Sequence, residues 1–121
     1  MIEIRSKLPK NSAHVAQLLT FYDKILAICV DLAITPILSG SLAVFGYTQN
    51  EAMCVNDIDL ACSEQAFPRL SRALDAHGMT YVLKTWHVLQ VKRDDLKVEF
   101  DAMEHWMGDI PNEYETLKIH G

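Results

Sequence analysis

The sequence predicts an α/β (α+β) domain, a small mixed β-sheet with helices packed on it. Three observations predict it. Apolar residues recur at three- and four-residue steps over the first third of the chain. They alternate one in two over residues 55–62. Between residues 79 and 102 the β-branched and aromatic residues concentrate. Helix signals and strand signals therefore interleave, and that order produces a sheet covered by helices. The 121 residues, half of them apolar, suffice for one domain with one packed core, so residues 1–121 read as a single domain.

Asn11 and Ser12 are natural helix N-caps. Behind them Val15, Leu18, Leu19, Tyr22, Ile25, Leu26, Cys29 and Leu32 form one apolar stripe, predicting a helix over residues 12–33 that Pro36 closes. Ile37 and Leu38 form a very short strand running into Ser39, Gly40 and Ser41. A short helix over 42–47 follows, with Gly46 as its end, and then a polar loop over 48–54. Over 55–62 Ile58 and Leu60 fall on one face, Asp57 and Asp59 on the other, as in a strand. Ser63 caps the next helix, with Pro68 tolerated near its start and Phe67, Leu70, Ala73 and Leu74 as its buried stripe. Gly78 stands where that helix should stop.

Two antiparallel strands then meet at an Arg93-Asp94-Asp95 turn. The second of them points Leu96, Val98 and Phe100 inward and Lys97, Glu99 and Asp101 outward. Trp86 and His87 read as strand residues facing opposite sides, and Lys84, Lys92, Arg93 and Lys97 as the solvated face of a hairpin. From Glu104 on, short helices fall around residues 105–107 and after Pro111.

Composition narrows the function. Eleven basic residues against sixteen acidic ones give a net charge of −5, which does not suit coating nucleic acid or anionic lipid by bulk charge. The longest apolar run is the six residues 25–30, against the ~20 of a membrane-spanning helix, and the first residues lack the pattern of a signal peptide. A cytoplasmic protein with no membrane partner is the expectation. The cysteines, Cys29, Cys54 and Cys62, are too few for a disulfide scaffold, and Cys29 reads as buried packing. The five histidines never fall at a zinc-ligand spacing.

Two features carry chemistry. Asp57 and Asp59, alternate residues of one strand, lie ~7 Å apart on one side. Unpaired carboxylates so close repel, and a hard cation such as Mg²⁺ would relieve them while keeping positions for phosphate oxygens. A third carboxylate on a neighbouring strand would complete a site for one or two such ions, the arrangement used for in-line displacement at phosphorus. Gly40-Ser41, between a strand and a helix start, offers backbone N–H groups, a positive dipole end and a hydroxyl to an anion. Glu99 and Asp101 supply the later carboxylates.

Leu38-Ser39-Gly40-Ser41-Leu42-Ala43, then Asn56-Asp57-Ile58-Asp59-Leu60, then Val98-Glu99-Phe100-Asp101 resembles the nucleotidyltransferase superfamily with the DNA polymerase beta-like palm, over about residues 36–102. The resemblance implies a metal-dependent transfer of a nucleoside monophosphate from a nucleoside triphosphate to an acceptor. In that reading Gly40 and Ser41 cradle the triphosphate. Asp57 and Asp59 hold Mg²⁺, with two ions an option. Asp101 is the third carboxylate and metal ligand and acts as base toward the acceptor hydroxyl, with Glu99, on the same face, as its alternative. The acceptor is open: a small molecule, a protein or RNA. Fifteen residues separate Ser41 from Asp57, and none is Lys or Arg, although relatives often carry a phosphate-touching cation there. Two other functions fit the same residues. One is a minimal nucleotidyltransferase acting as an antitoxin or interaction module, with a toxin or a second copy of the chain as partner. The other is a non-catalytic member that only binds nucleotide.

Overall fold

The computed structural model describes residues 9–107. In chain order it contains α1 (Ser12–Asp31), β1 (Ile37–Ser39), α2 (Gly40–Thr48) and β2 (Ile58–Cys62). A 3₁₀ turn (Glu64–Ala66) follows, then α3 (Phe67–Ala76), β3 (Thr80–Thr85), β4 (Val88–Arg93), β5 (Leu96–Ala102) and α4 (Met103–Met107). The five strands form one mixed sheet in the order β1-β2-β5-β4-β3. β2 and β5 run parallel and the other neighbours antiparallel. The expected α/β architecture is therefore present.

Alternation divides the sheet into two faces. Ile58, Leu60 and Cys62 of β2, Leu89 and Val91 of β4, and Leu96, Val98, Phe100 and Ala102 of β5 are buried. They form one cluster with Val15, Leu18, Phe21, Ile25, Ile28 and Cys29 of α1 and Phe67, Leu70 and Leu74 of α3. The opposite face carries Asp59, Glu99, Asp101 and Gln90. Phe21 and Ile28 broaden the α1 stripe beyond the predicted positions, since a core-facing helix buries an arc ≳ 100° wide. Among the described helices α1 alone is long and apolar enough to cross a membrane by length and composition, yet this stripe is packed into the core.

Several boundaries differ from expectation, each for a local reason. α1 stops well before Pro36 because Ala33 turns left-handed (φ 58°), letting the Ile34 N–H reach back to Cys29 O at 2.8 Å while its side chain returns to the core. Asn11 occupies the N-cap position but caps nothing. Its carboxamide instead accepts from the Val55 N–H (3.0 Å) and donates to Val55 O (2.8 Å). That side chain takes the place of a neighbouring strand, so residues 55–57 carry no strand pairing and β2 begins only at Ile58. α2 runs through Gly46 and closes at Gln49, itself left-handed, whose N–H bonds Phe45 O. Ser63 Oγ caps the 3₁₀ turn, accepting from the Gln65 N–H, and α3 starts after it. Trp86 and His87 are the two residues of the β3–β4 turn rather than strand residues. Asp94 and Asp95 form the β4–β5 turn, as the sequence predicts. The helix expected after Pro111 lies outside the described residues.

Candidate active site

The parallel pairing of β2 and β5 builds the site. Its register sets Asp59 beside Glu99 and Ala61 beside Asp101. Glu99 is therefore level with Asp59, and Asp101 stands two residues further along. β1 closes the other flank: Ser39 pairs with Asp59, and its Oγ donates to Asp59 O at 3.2 Å. The chain then turns into α2 through Gly40 at φ +70°. A Cβ at this position would lie 2.2 Å from Asp59 Oδ2, so the Asp59 carboxylate rests directly against the bare Gly40 Cα at the first residue of α2. Gly40 is solvent-exposed, leaving its backbone approachable.

Ser39, Gly40, Asp59, Leu60, Glu99 and Asp101 line a cavity of about 240 Å³. Of the residues singled out from the sequence, the cavity brings together Gly40, Asp59 and Asp101, with Glu99. Asp57 and Ser41, both half-buried, adjoin this group in the chain without lining the cavity. Asp57 sits immediately before β2 rather than within it. Burial pushes the Asp59 carboxyl above its ordinary range, and the negative charges of Glu99, Asp57 and Asp101 push it the same way.

Two partners from farther along the sheet complete the cleft. Gln90 on β4 is level with Glu99, is almost fully buried, and donates a short hydrogen bond to Glu99 Oε2. Lys84, at the β3 irregularity between Leu83 and Thr85, reaches across the sheet to the same oxygen at 3.2 Å. Lys84 is exposed, as expected of a hairpin face, and its ammonium also reaches the cleft carboxylate Glu99. Beyond it His87 Nδ1 lies 3.2 Å from Asp101 Oδ1. The His87 ring stacks on His105 (centroids 3.6 Å apart, planes 5° apart), and Trp86 meets both rings edge-on. Sequence reasoning singled out neither Gln90 nor His105, and it read Lys84 as part of a hairpin's solvated face and His87 as a strand residue. Period-two alternation does place Gln90 and Lys84 on the acidic face. Only the strand order puts them next to Glu99.

The donors fit a hard divalent cation in kind. They are carboxylate oxygens, crowded enough to raise Asp59, and Lys84 is the one ammonium among their partners in the described residues. As placed, no three His, Cys, Asp or Glu side chains among the described residues are gathered closely enough to hold a metal ion. The reason is visible in the hydrogen bonds, which draw Glu99 toward Gln90 and Lys84 and Asp101 toward His87. A larger cavity, of about 740 Å³, lies elsewhere and shares no residue with this cleft.

No protein-family model and no curated protein matches the sequence. Two solved structures match in fold. The solution structure of the antibiotic-resistance factor ANT(2'')-Ia aligns with a TM-score of 0.59 at 17% identity, over 74% of this chain and 48% of that one. The crystal structure of ANT(2'')-Ia in complex with adenylyl-2''-tobramycin aligns with a TM-score of 0.57 at 17% identity, over 72% and 49%. The chain spans about half the length of these structures. Both neighbours are nucleotidyltransferases, and the domain has a nucleotidyltransferase-like fold.

Proposed function

We propose that the chain carries a metal-dependent nucleotidyl-transfer centre. The observation that carries this reading is the seat of Asp59 against Gly40 at the start of α2, with Glu99 and Asp101 across on β5, in a nucleotidyltransferase-like fold. Gly40 and Ser41, at the N-terminus of α2, would hold the triphosphate through backbone N–H groups and the Ser41 hydroxyl. Asp57 and Asp59 would hold Mg²⁺, one ion or two. The register supports Glu99, level with Asp59, as the β5 ligand ahead of Asp101. Bound there, the ion would neutralise charge building up on the phosphates.

Asp101, steadied by His87, is then the acceptor of the proton from the attacking hydroxyl. The acceptor oxygen forms a bond to the α-phosphorus, the bond from that phosphorus to the bridging oxygen breaks, and pyrophosphate leaves. Lys84, delivered from β3, supplies the cleft with a cation that the Ser41–Asp57 segment lacks. The acceptor is a hydroxyl-bearing small molecule, protein or RNA.

The test is pyrophosphate release across an acceptor panel, with calorimetry of each nucleoside triphosphate with and without Mg²⁺. The reading predicts Mg²⁺-dependent nucleotide binding that Asp59→Asn and Glu99→Gln weaken. Asp101→Asn should keep binding and lose turnover. Nucleotide binding that ignores Mg²⁺ and all three substitutions would sink it. The interaction-module reading has one observation of its own. Among the described residues β3 is an edge strand exposing Val82 and Leu83, with Trp86 exposed at its end, a surface suited to pairing with another chain. Partner-dependent protection of β3 amides in hydrogen exchange, without turnover on any acceptor, would favour it.

A further inference from the structure

Asp57 stands one residue ahead of β2, where the sheet alone does not hold it. Residues 53–57 carry no strand pairing. Among the described residues, the hydrogen bonds that reach residues 53–56 from elsewhere in the fold all come from one place, the start of α1. The Lys10 N–H donates to Met53 O at 2.8 Å. The Asn11 carboxamide takes both backbone groups of Val55, the N–H at 3.0 Å and the carbonyl at 2.8 Å. His14 Nε2 donates to Asn56 O at 3.0 Å. A carbonyl only accepts, so this ring nitrogen carries the hydrogen.

These anchors are firm at both ends. The Asn11 carbonyl accepts from the N–H of Val15, itself buried in the core, at 3.1 Å. Val55 is buried in the same core. The other ring nitrogen of His14, Nδ1, lies 3.6 Å from Asp95 Oδ2, in the turn that leads into β5. Because β2 and β5 run parallel, both begin at this end of the sheet. His14 thus sits between the starts of the two strands that carry the acidic side chains.

The consequence falls on Asp57. The carbonyl of Asn56 belongs to the planar peptide unit that contains the Asp57 N–H and ends at the Asp57 Cα. On the far side, Ile58 is the first residue laddered to β5, opposite Val98. Asp57 is therefore fixed between a peptide held by α1 and a residue held by the sheet. Without the first anchor, the peptide ahead of it is free to turn, whereas a metal-binding constellation works within ~0.5 Å of its productive geometry.

We propose that Asn11 and His14 are positioning residues for Asp57, through which the first turn of α1 sets where that carboxylate stands beside Asp59 for a shared divalent cation. The inference rests on the reading of Asp57 as a metal ligand. Neither residue lines the cleft. Both act through the backbone ahead of Asp57.

The experiment is calorimetry of ATP binding to the full chain, in Mg²⁺ and in EDTA. The quantity read is the ratio of the two affinities, with urea melts to establish that each variant is folded. Asp57→Asn should lower the ratio. His14→Ala and Asn11→Ala should each lower it by roughly tenfold, the lower end of what losing an outer-shell partner costs, and leave the affinity in EDTA unchanged. His14→Gln, whose carboxamide can still donate to Asn56 O, should restore the ratio. In an Asp57→Asn background His14→Ala should have no further effect, because it acts through the side chain already removed. A ratio that His14→Ala and Asn11→Ala leave intact while Asp57→Asn lowers it would overturn this inference alone. So would a full, additive loss from His14→Ala in the Asp57→Asn background, or a His14→Gln variant as impaired as His14→Ala. A ratio unmoved by Asp57→Asn would overturn the metal-ligand reading of Asp57, and the inference with it.

Discussion

Gly40→Ala tests the geometry on which the active-site reading rests. Two penalties apply. The first is backbone: at φ +70° an L-residue costs about 1–2 kcal/mol. The second is contact: the new Cβ would sit 2.2 Å from Asp59 Oδ2, so the carboxylate must swing away, at about 1–3 kcal/mol for overpacking. Gly78 separates the two. Its φ is +68°, and a Cβ there meets nothing within 4 Å. Gly78→Ala therefore reports the backbone penalty alone, and any gain from stiffening the unfolded chain is common to both variants.

Urea melts should show Gly40→Ala costing about 1–3 kcal/mol more than Gly78→Ala, close to 4 °C of Tm per kcal/mol for a domain of this size. In an Asp59→Ala background most of the excess should vanish, since the clashing carboxylate is gone and only the residue-59 Cβ, 3.1 Å away, remains. Displacing Asp59 by about 1 Å should also lower pyrophosphate release by roughly a hundredfold. Equal costs for the two glycine variants, or an excess undiminished without the Asp59 carboxylate, would refute the packing of Asp59 on Gly40.

Three further outcomes are expected. The folded pKa of Asp59 lies above its ordinary 3.8, so the folded chain binds that proton more tightly than the unfolded chain. Stability therefore falls as pH rises from 3.8 through the folded value and stays lower above it. Asp59→Asn should raise Tm at neutral pH by a margin that shrinks as the buffer is acidified, and a lower Tm at pH 7 would contradict this. Asn11→Ala strips both partners from the Val55 backbone and should cost about 1–3 kcal/mol in urea, with Asn11→Asp, which keeps only the acceptor, falling between. Finally, burial pushes the Cys29 thiol up to about 11 and the Cys62 thiol up to about 12, while Cys54 is exposed. Alkylation at pH 8 should leave one adduct by intact mass until the chain is unfolded, and two adducts on the native protein would contradict the burial.

What was legible in the sequence is what local periodicity encodes. The stripe of α1, the alternation at Asp57 to Leu60 and at Leu96 to Asp101, the Asp94-Asp95 turn and the stop at Gly78 all follow from a residue and its near neighbours. So does the pairing of a Gly-Ser helix start with alternating acids on a strand. Boundaries that depended on distant partners were not legible. Asn11 reads as a helix cap, yet its carboxamide is spent on Val55, 44 residues away. Trp86 and His87 carry strand propensity, yet they form the turn that lets β4 return beside β3.

The acidic site divides along the same line. Residue types and spacing alone nominated Gly40, Ser41, Asp57, Asp59, Glu99 and Asp101. Which β5 carboxylate stands level with Asp59 depends on the parallel β2–β5 register, where a slip of two residues would exchange Glu99 for Asp101. The recruitment of Lys84, Gln90 and His87 depends on the strand order that lays β4 and β3 beside β5. Side-chain period is a property of one strand, whereas register and strand order are set by how the whole apolar set buries against α1 and α3. The chain's code for its chemistry is thus local, and the assembly of that chemistry is a product of the core.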